Sequence, residues 1–158
     1  ENVPALAEVR ERTNIPIVTG ETLYTKAAFR EVFERRSADI INPDIGSCGI
    51  LELKEIAAMA EPYYVAVSPH NYNSTTIALA ATIQVAACIP NFLITEYFVN
   101  FRNTGDEISI NPFEVDNGYI RLPKNPGLGL DLDMEKVLER PYQEQAIRSL
   151  RQYFEEGP

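Results

Sequence analysis

The sequence predicts an α/β fold in which parallel strands alternate with helices. Four short apolar runs are rich in Ile, Val and other apolar residues and are bounded by Gly, Pro or polar residues, the pattern of buried parallel strands; they cover residues 15–21, 38–44, 64–70 and 91–96. Each run ends in one ionisable residue, and these recur at intervals of about 25 positions, which leaves room for a strand, a helix and their turns. The spacing therefore predicts consecutive βα units.

The segments between the runs have the composition of helices. Residues 22–36 place apolar side chains among Lys, Arg and Glu, and residues 50–61 repeat apolar residues at i, i+3, i+4 and i+7. Residues 75–88 are apolar nearly all round, as expected of a helix between a sheet and a second layer. Residues 3–13 predict an outer helix with a Pro near its start. Because strand and helix alternate, the crossovers require a parallel sheet.

The pattern changes after the fourth run. The sequence there predicts a loop over residues 97–112 and a β-hairpin over residues 113–122 that turns at Asp116-Asn117-Gly118. Residues 133–156 predict a charged amphipathic helix that is interrupted at Pro141. We therefore expect residues 1–105 to form the βα units, and residues 106–158 to add a hairpin and a helix that pack against them.

Composition limits the classes of function. The chain has 158 residues, of which 45% are hydrophobic and 23% charged, typical of a soluble globular protein with one core. The net charge of −9 argues against nucleic acid or an anionic membrane surface as a partner. No apolar run is long enough to cross a bilayer. Cys48 and Cys88 lack metal-ligand spacing and predict reduced thiols in a cytoplasmic protein.

Glu21, Asp44, His70 and Glu96 are the ionisable residues that end the four runs. In parallel α/β barrels the loops that follow the strands build the active site. Each residue alone has a structural interpretation: Glu21 as a helix cap, Asp44 as an Asx-turn residue, His70 as a structural imidazole and Glu96 as a solvated loop carboxylate. These interpretations do not require all four residues to meet at one end of one sheet. Their joint placement therefore indicates a functional site.

The residue types at this site indicate acid/base chemistry beside a cation. Three carboxylates and an imidazole that converge on one strand mouth repel one another unless a cation is present, and hard oxygen ligands select Mg²⁺ rather than zinc. Asp44 and His70 end consecutive runs, so the carboxylate could hold the imidazole in one tautomer and raise its basicity. The sequence thus predicts a general acid/base dyad.

Polar residues next to these positions are candidates for substrate contacts. Residues 71–74, which include Asn71 and Tyr72, directly follow His70, and Tyr24 follows Glu21 closely. They could line a polar substrate pocket. For residues 71–74 a loop that leads to a helix N-cap at Ser74 or Thr75 explains the composition equally well.

The runs also resemble a known family. PIVTGE, INPD, SPH and ITE, together with LELKEIAAMAE and GYIRLPKNPGLGLDLD, resemble the mandelate racemase subgroup of the enolase superfamily, especially its acid-sugar dehydratases. The resemblance covers essentially the whole chain and implies the C-terminal half of a TIM-type (β/α)7β barrel, with a final segment that returns to an α+β capping domain. It implies Glu21 as a Mg²⁺ ligand, Asp44 and His70 as the acid/base dyad, and Glu96 as a contact of the substrate carboxylate or the enediolate.

The chain departs from that family in two respects. The loop of residues 45–50 is one residue short of the family's usual Gly-Gly pattern, which would shift Asp44 or reshape the turn. The other metal ligands, the opposite-face base and the capping loops would lie before Glu1. Four strands are half of the eight that close such a barrel, and an unclosed half leaves two unpaired edges. We therefore expect this chain to be part of a larger enzyme and to be inactive by itself. Its expected partners are the N-terminal half of the same enzyme, a small sugar-acid substrate and further copies of the enzyme in a homo-oligomer.

The implied reaction is Mg²⁺-dependent dehydration of an aldonate-type sugar acid, in which the proton α to the carboxylate is abstracted and the β-hydroxyl is lost. In this reaction His70 would act as the acid that assists departure of the hydroxyl. The same residue used as a base would support racemisation or epimerisation, and cycloisomerisation is a further alternative. A half-barrel that only binds partners is an alternative of a different class, because fold does not imply function.

Overall fold

The computed structural model describes residues 2–72 and 74–144. Its main sheet has three parallel strands in the order β1, β2, β3, which are Val18–Thr19, Ile40–Ile41 and Ala66–Val67. Val18 pairs with Ile40, and Ile40 pairs with Ala66, so the strands run side by side without a shift in register. The predicted parallel sheet is confirmed. The shared register carries the ends of the three runs to the same edge of the sheet.

The fourth predicted strand lies beside β3 but joins it only through a single bridge between Val67 and Phe92. The Val67 amide donates to the Asn91 carbonyl at 2.9 Å, and the Leu93 amide donates back to the Val67 carbonyl at 2.9 Å. The Asn91 side chain donates to the Val65 carbonyl at 3.1 Å. Residues 91–96 therefore take the predicted position next to β3 without forming a full strand.

The four predicted helices are present, one before the first run and three between the runs: α1 (Val3–Glu11), α2 (Lys26–Glu34), α4 (Ile50–Ala60) and α5 (Thr76–Ala86). The α2 helix begins later than expected because the side chain of Thr25 accepts the Ala28 amide and caps the helix there. The Thr75 side chain caps α5 in the same way, as one of the two alternatives anticipated. Glu21 is thus not a helix cap.

The core lies between the sheet and the helices on its outer face. Phe29 and Phe33 on α2 are almost completely buried. Leu53 and Ile56 on α4 are buried in the same way. Ile41 of β2 is fully buried in the same cluster. Burying a side chain of this size contributes about 1.5–3 kcal/mol. This packing holds the strands, and with them the strand ends, in fixed positions.

The predicted loop at residues 97–112 is wrong, because α6 (Arg102–Ile108) lies within it. This helix contains Gly105 and has little intrinsic helical preference. It lies against the start of α5: a Cβ on Gly105 would lie 3.5 Å from the Cβ of Thr76, and the hydroxyl oxygens of Thr76 and Ser109 are 3.5 Å apart. A tertiary contact, absent from the local pattern, therefore determines this element. A four-residue helix α3 (Ile45–Cys48) was also not predicted.

The predicted hairpin is confirmed by the antiparallel strands β4 (Val115–Asp116) and β5 (Tyr119–Ile120). Both turn residues have positive φ, 47° at Asn117 and 80° at Gly118, the conformation that an Asn-Gly turn favours. A last described helix, α7 (Met134–Leu138), is capped by the Asp133 side chain.

The helix predicted over residues 133–156 is confirmed only for α7, which ends before Pro141; residues 145–156 lie outside the described residues. The expected boundary between residues 105 and 106 falls inside α6, and the division into two parts stays a prediction. Among the described residues, no helix is both long enough and apolar enough to cross a bilayer.

Candidate active site at the strand ends

The structure brings the four predicted site residues together around His70. The Nδ1 atom of His70 lies 2.7 Å from Oδ2 of Asp44. On the other side of the ring, Nε2 lies 3.3 Å from Oε2 of Glu21 and 3.7 Å from Oε2 of Glu96. The imidazole is therefore in contact with carboxylates through both nitrogens.

Glu21 is positioned by the glycine that precedes it. Gly20 is buried and has φ of +128°, a conformation that side chains rarely adopt. A Cβ at this position would lie 2.6 Å from the ring of Phe29 on α2. The chain leaving β1 can thus pass close to α2 and turn toward the site only because residue 20 lacks a side chain.

Asp44 makes two contacts with its two oxygens. Its Oδ1 accepts the Gly46 amide at 2.7 Å and caps α3, while Oδ2 contacts His70. The backbones of Asp44 and His70 also form a parallel bridge, and the His70 amide donates to the Pro43 carbonyl at 3.1 Å. The two interpretations of this aspartate, turn residue and dyad partner, therefore apply together.

The loop that follows Asp44 has a defined local structure. It forms α3, which ends at Gly49 with φ of +82° before α4 begins. Asp44 remains within hydrogen-bond distance of His70. Gly49 therefore forms the turn between α3 and α4, and whether the shorter loop displaces Asp44 relative to the family stays a prediction.

The contact with Asp44 sets what the imidazole can do. An ionised carboxylate accepts only, so the Nδ1 atom bonded to it carries the hydrogen, and this leaves Nε2 directed toward Glu21 and Glu96. A neutral ring then offers Nε2 as a base, and a protonated ring offers it as an acid. Both side chains of the dyad are largely buried, with 16% of His70 and 12% of Asp44 exposed.

Glu96 is held by the residue that follows His70. The Asn71 amide donates to Oε2 of Glu96 at 3.0 Å, and the Asn71 side chain donates to the Glu96 carbonyl at 3.4 Å. Asn71 is itself only 2% exposed, although half of the Glu96 side chain is exposed. The carboxylate is thus oriented toward the site rather than being a freely solvated loop residue.

An open groove runs past these groups and is lined by Glu21, His70, Asn71, Tyr72, Glu96, Tyr97 and Phe98. Asn71 and Tyr72 therefore lie where a substrate contact was expected. Tyr24 is half exposed and is not among the described residues that line the groove. Asn73 lies outside the described residues.

Sequence reasoning did not single out Tyr97 and Phe98. Their position directly after Glu96 was a usable signal, because residues that follow a strand end share the mouth of the site. Burial raises the pKa of the Tyr97 phenol above its ordinary value, so this group is a neutral hydroxyl at physiological pH.

The carboxylates at the strand ends are suitable ligands for a hard cation, but the described residues do not form a complete metal site. The exposed carboxylate of Glu21 is the kind of oxygen ligand that Mg²⁺ prefers. Residues 2–72 and 74–144 contain no group of three or more His, Cys, Asp or Glu side chains that could hold a metal ion. The described residues therefore fit one part of a magnesium coordination shell.

Comparison with known proteins adds an independent finding. Residues 1–137 match the protein family described as enolase C-terminal domain-like. The chain is 37% identical over 138 residues to a D-xylonate dehydratase of Haloferax volcanii, a match that covers 87% of this chain and 33% of the relative. It is 36% identical over 147 residues to a D-galactonate dehydratase of Ralstonia pickettii, covering 89% of this chain and 38% of the relative.

Solved structures give the same result. The crystal structure of a mandelate racemase/muconate lactonizing enzyme-like protein from Rubrobacter xylanophilus superposes with a TM-score of 0.83 at 37% identity. The superposition covers 90% of this chain and 37% of that protein. The chain therefore spans less than two fifths of the length of these relatives.

Proposed function

This chain belongs to the enolase C-terminal domain-like family, and on that premise we propose that the enzyme containing it dehydrates a sugar acid of the aldonate type. Its fold is the C-terminal half of a TIM-type (β/α)7β barrel, as the sequence resemblance implied. The observation that carries the proposal is the dyad: His70 is held by Asp44 at Nδ1 and has Nε2 directed into the groove. The two relatives named as dehydratases support the choice of reaction.

His70 is the proposed general acid. Dehydration removes the proton α to the carboxylate and expels the β-hydroxyl as water, which takes its proton from Nε2 of the imidazolium. The α-proton passes to a separate base, a role that the proposal gives to none of the described residues. A protonated His70 has ion-pair partners on both ring nitrogens, since Asp44, Glu21 and Glu96 place oxygens within 3.7 Å. After proton transfer the neutral ring keeps its Nδ1 hydrogen bond and its orientation.

Asp44 and Glu96 have different proposed roles. Asp44 is not among the described residues that line the groove, and its proposed role is to orient the imidazole and stabilise the imidazolium. Glu96 faces the groove beside Nε2 and contacts the substrate carboxylate or the negative charge that develops on it. Asn71 lines the groove and holds Glu96 in place. Tyr24 is not assigned a role in the groove.

Glu21 is the proposed ligand of Mg²⁺ from this chain. Bound Mg²⁺ supplies electrostatic stabilisation of the charge that develops on the substrate carboxylate when the α-proton leaves. The homo-oligomeric assembly and the cytoplasmic location expected from the sequence belong to the same proposal.

A racemase or epimerase of the same superfamily is the second candidate. The same dyad with a neutral imidazole presents Nε2 as a base, so the geometry around His70 supports proton abstraction as well as proton donation. The two reactions differ in their products, because racemisation exchanges the α-proton and keeps the β-hydroxyl.

The test uses the full-length protein with Mg²⁺ and a panel of aldonates that includes D-xylonate and D-galactonate. Incubation in deuterated water followed by proton NMR separates the outcomes. Formation of a 2-keto-3-deoxy acid supports dehydration, and exchange at C2 with the hydroxyl retained supports the racemase or epimerase. If the panel shows neither product nor exchange, the enzyme proposal is wrong and a binding module becomes the better explanation.

A further inference from the structure

Tyr72 and Phe98 form an aromatic pair, called here the aromatic wall, on the groove that contains His70. Their ring centroids are 5.0 Å apart and the rings are inclined by 56°, an arrangement that aromatic pairs favour. The Tyr72 ring lies 6.3 Å from the imidazole of His70. The wall therefore begins just beyond the acid/base group.

The aromatic wall is not part of the hydrophobic core. The side chain of Tyr72 is 57% exposed, and neither ring belongs to the described core cluster. The Tyr72 ring is therefore accessible to a molecule in the groove. Small-molecule sites are lined mainly by apolar and aromatic side chains with a few polar groups that fix orientation. Here the polar groups are Glu21, His70 and Glu96 in the same groove.

The position of the wall relative to the acid/base groups is fixed by the backbone. Tyr72 lies two residues after His70, and Phe98 lies two residues after Glu96. The two segments are joined between these pairs by the contacts of Asn71 with Glu96, at 3.0 and 3.4 Å. The wall therefore has a set position relative to His70 and Glu96.

We propose that the aromatic wall of Tyr72 and Phe98 contacts the carbon chain of the substrate beyond the reacting carbons and thereby selects for chain length. This inference rests on the proposed function. In the proposed reaction the reacting carbons lie at Nε2 of His70, and the 6.3 Å between the centroids of the imidazole and the Tyr72 ring is a distance that several carbon–carbon bonds span. The C–H groups of a polyhydroxylated chain are apolar and cover the rings, while its hydroxyls remain hydrated. A short acid ends before it reaches the wall, and a longer acid does not.

The experiment measures binding of four-, five- and six-carbon aldonates to the full-length enzyme. Michaelis constants are taken for acids that turn over, and competitive inhibition constants for the others. Tyr72→Ala is expected to weaken binding of the six-carbon acid by about 10-fold and to leave the four-carbon acid close to the parent value. Tyr72→Phe keeps the ring and is expected to keep the parent's ratio between the constants of the six-carbon and the four-carbon acid. Phe98→Leu is expected to weaken binding of the six-carbon acid relative to the four-carbon acid, as Tyr72→Ala does.

Tyr119→Ala is the matched control, because Tyr119 is a highly exposed tyrosine on the hairpin and does not line the groove. It is expected to leave all constants unchanged. Equal weakening of every chain length by Tyr72→Ala would overturn the chain-length role, and a loss in Tyr72→Phe as large as in Tyr72→Ala would assign the effect to the hydroxyl instead of the ring. A parent enzyme that processes no aldonate overturns the proposed function and this inference with it, whereas an active parent with an unchanged ratio in Tyr72→Ala overturns this inference alone.

Discussion

The carboxylate of Asp44 joins the imidazole of His70 to the first turn of α3: one oxygen lies 2.7 Å from Nδ1 and the other accepts the Gly46 amide at 2.7 Å. The same side chain thus contacts the proposed acid/base residue and caps a helix. Substitutions that differ in which contact they remove can separate the two roles.

Asp44→Asn is expected to lose activity while it keeps most of its stability. An asparagine oxygen still caps the helix, but the neutral amide no longer stabilises the imidazolium or enforces the tautomer. We expect kcat to fall by about 10²–10⁴-fold. Asp44→Ala should lose a similar factor in kcat and in addition about 1 kcal/mol of stability with the cap. Steady-state kinetics and urea unfolding of the full-length enzyme measure both effects, and equal stability of the two variants would contradict the capping role.

Gly20→Ala is expected to destabilise the protein and to displace Glu21. The new Cβ meets the ring of Phe29 at 2.6 Å in a conformation with φ of +128°, so both a steric clash and a backbone cost arise. A loss of about 2–4 kcal/mol follows from these two terms together. Thermal or urea unfolding measures this loss.

Gly118→Ala is the control for that substitution. Gly118 also has a positive φ, but a Cβ there meets no atom within 4 Å, so only the backbone cost of about 1 kcal/mol is expected. Combining Gly20→Ala with Phe29→Leu should relieve part of the clash. Equal losses in the two glycine variants would show that the contact with Phe29 does not constrain this turn.

The strand ends and the main helices were predictable because each depends on a local pattern. Apolar runs of Ile and Val, a helical period and an Asn-Gly turn can each be recognised from neighbouring residues in the sequence. Glu21, Asp44, His70 and Glu96 could therefore be placed at one edge of the sheet without a structure. The α6 helix and the aromatic wall could not. The helix depends on the approach of Gly105 to Thr76, and the wall depends on hydrogen bonds between segments 25 residues apart.

The thiol of Cys48 is expected to react slowly. Burial, together with the nearby carboxylate of Asp44, raises its pKa to about 11. The reactive thiolate is therefore a very small fraction at pH 8, whereas Cys88 is exposed. Iodoacetamide labelling followed by mass spectrometry should modify Cys88 at least about 10-fold faster. Asp44→Asn removes one cause of the shift and should accelerate labelling of Cys48 without changing that of Cys88; no acceleration would show that the charge of Asp44 does not protect the thiol.

The ion pair between Arg10 and Asp39 is expected to give stability that depends on pH. Arg10 donates to Oδ1 of Asp39 at 2.7 and 2.9 Å, and the Ile17 amide donates to Oδ2 at 3.0 Å, which ties α1 to the starts of the first two strands. The hydrogen bond from Arg10 lowers the pKa of Asp39 below its ordinary value. Because the folded pKa is depressed, this stabilisation is present above the unfolded value, about 3.9, and is lost as the pH falls through the folded value.

Arg10→Met tests this ion pair, since it keeps much of the aliphatic side chain and removes the charge. One third of each side chain is exposed, so the pair contributes about 1 kcal/mol or less after solvent screening. Near pH 6 the variant should unfold more easily than the parent by that amount, and the difference should shrink as the pH falls below 4 and the Asp39 carboxylate becomes protonated. Urea unfolding at a series of pH values, at low and high salt, measures it. A difference that persists unchanged through the acid range would mean that Arg10 stabilises the fold by packing or by its hydrogen bond to the Arg36 carbonyl rather than through the ion pair with Asp39.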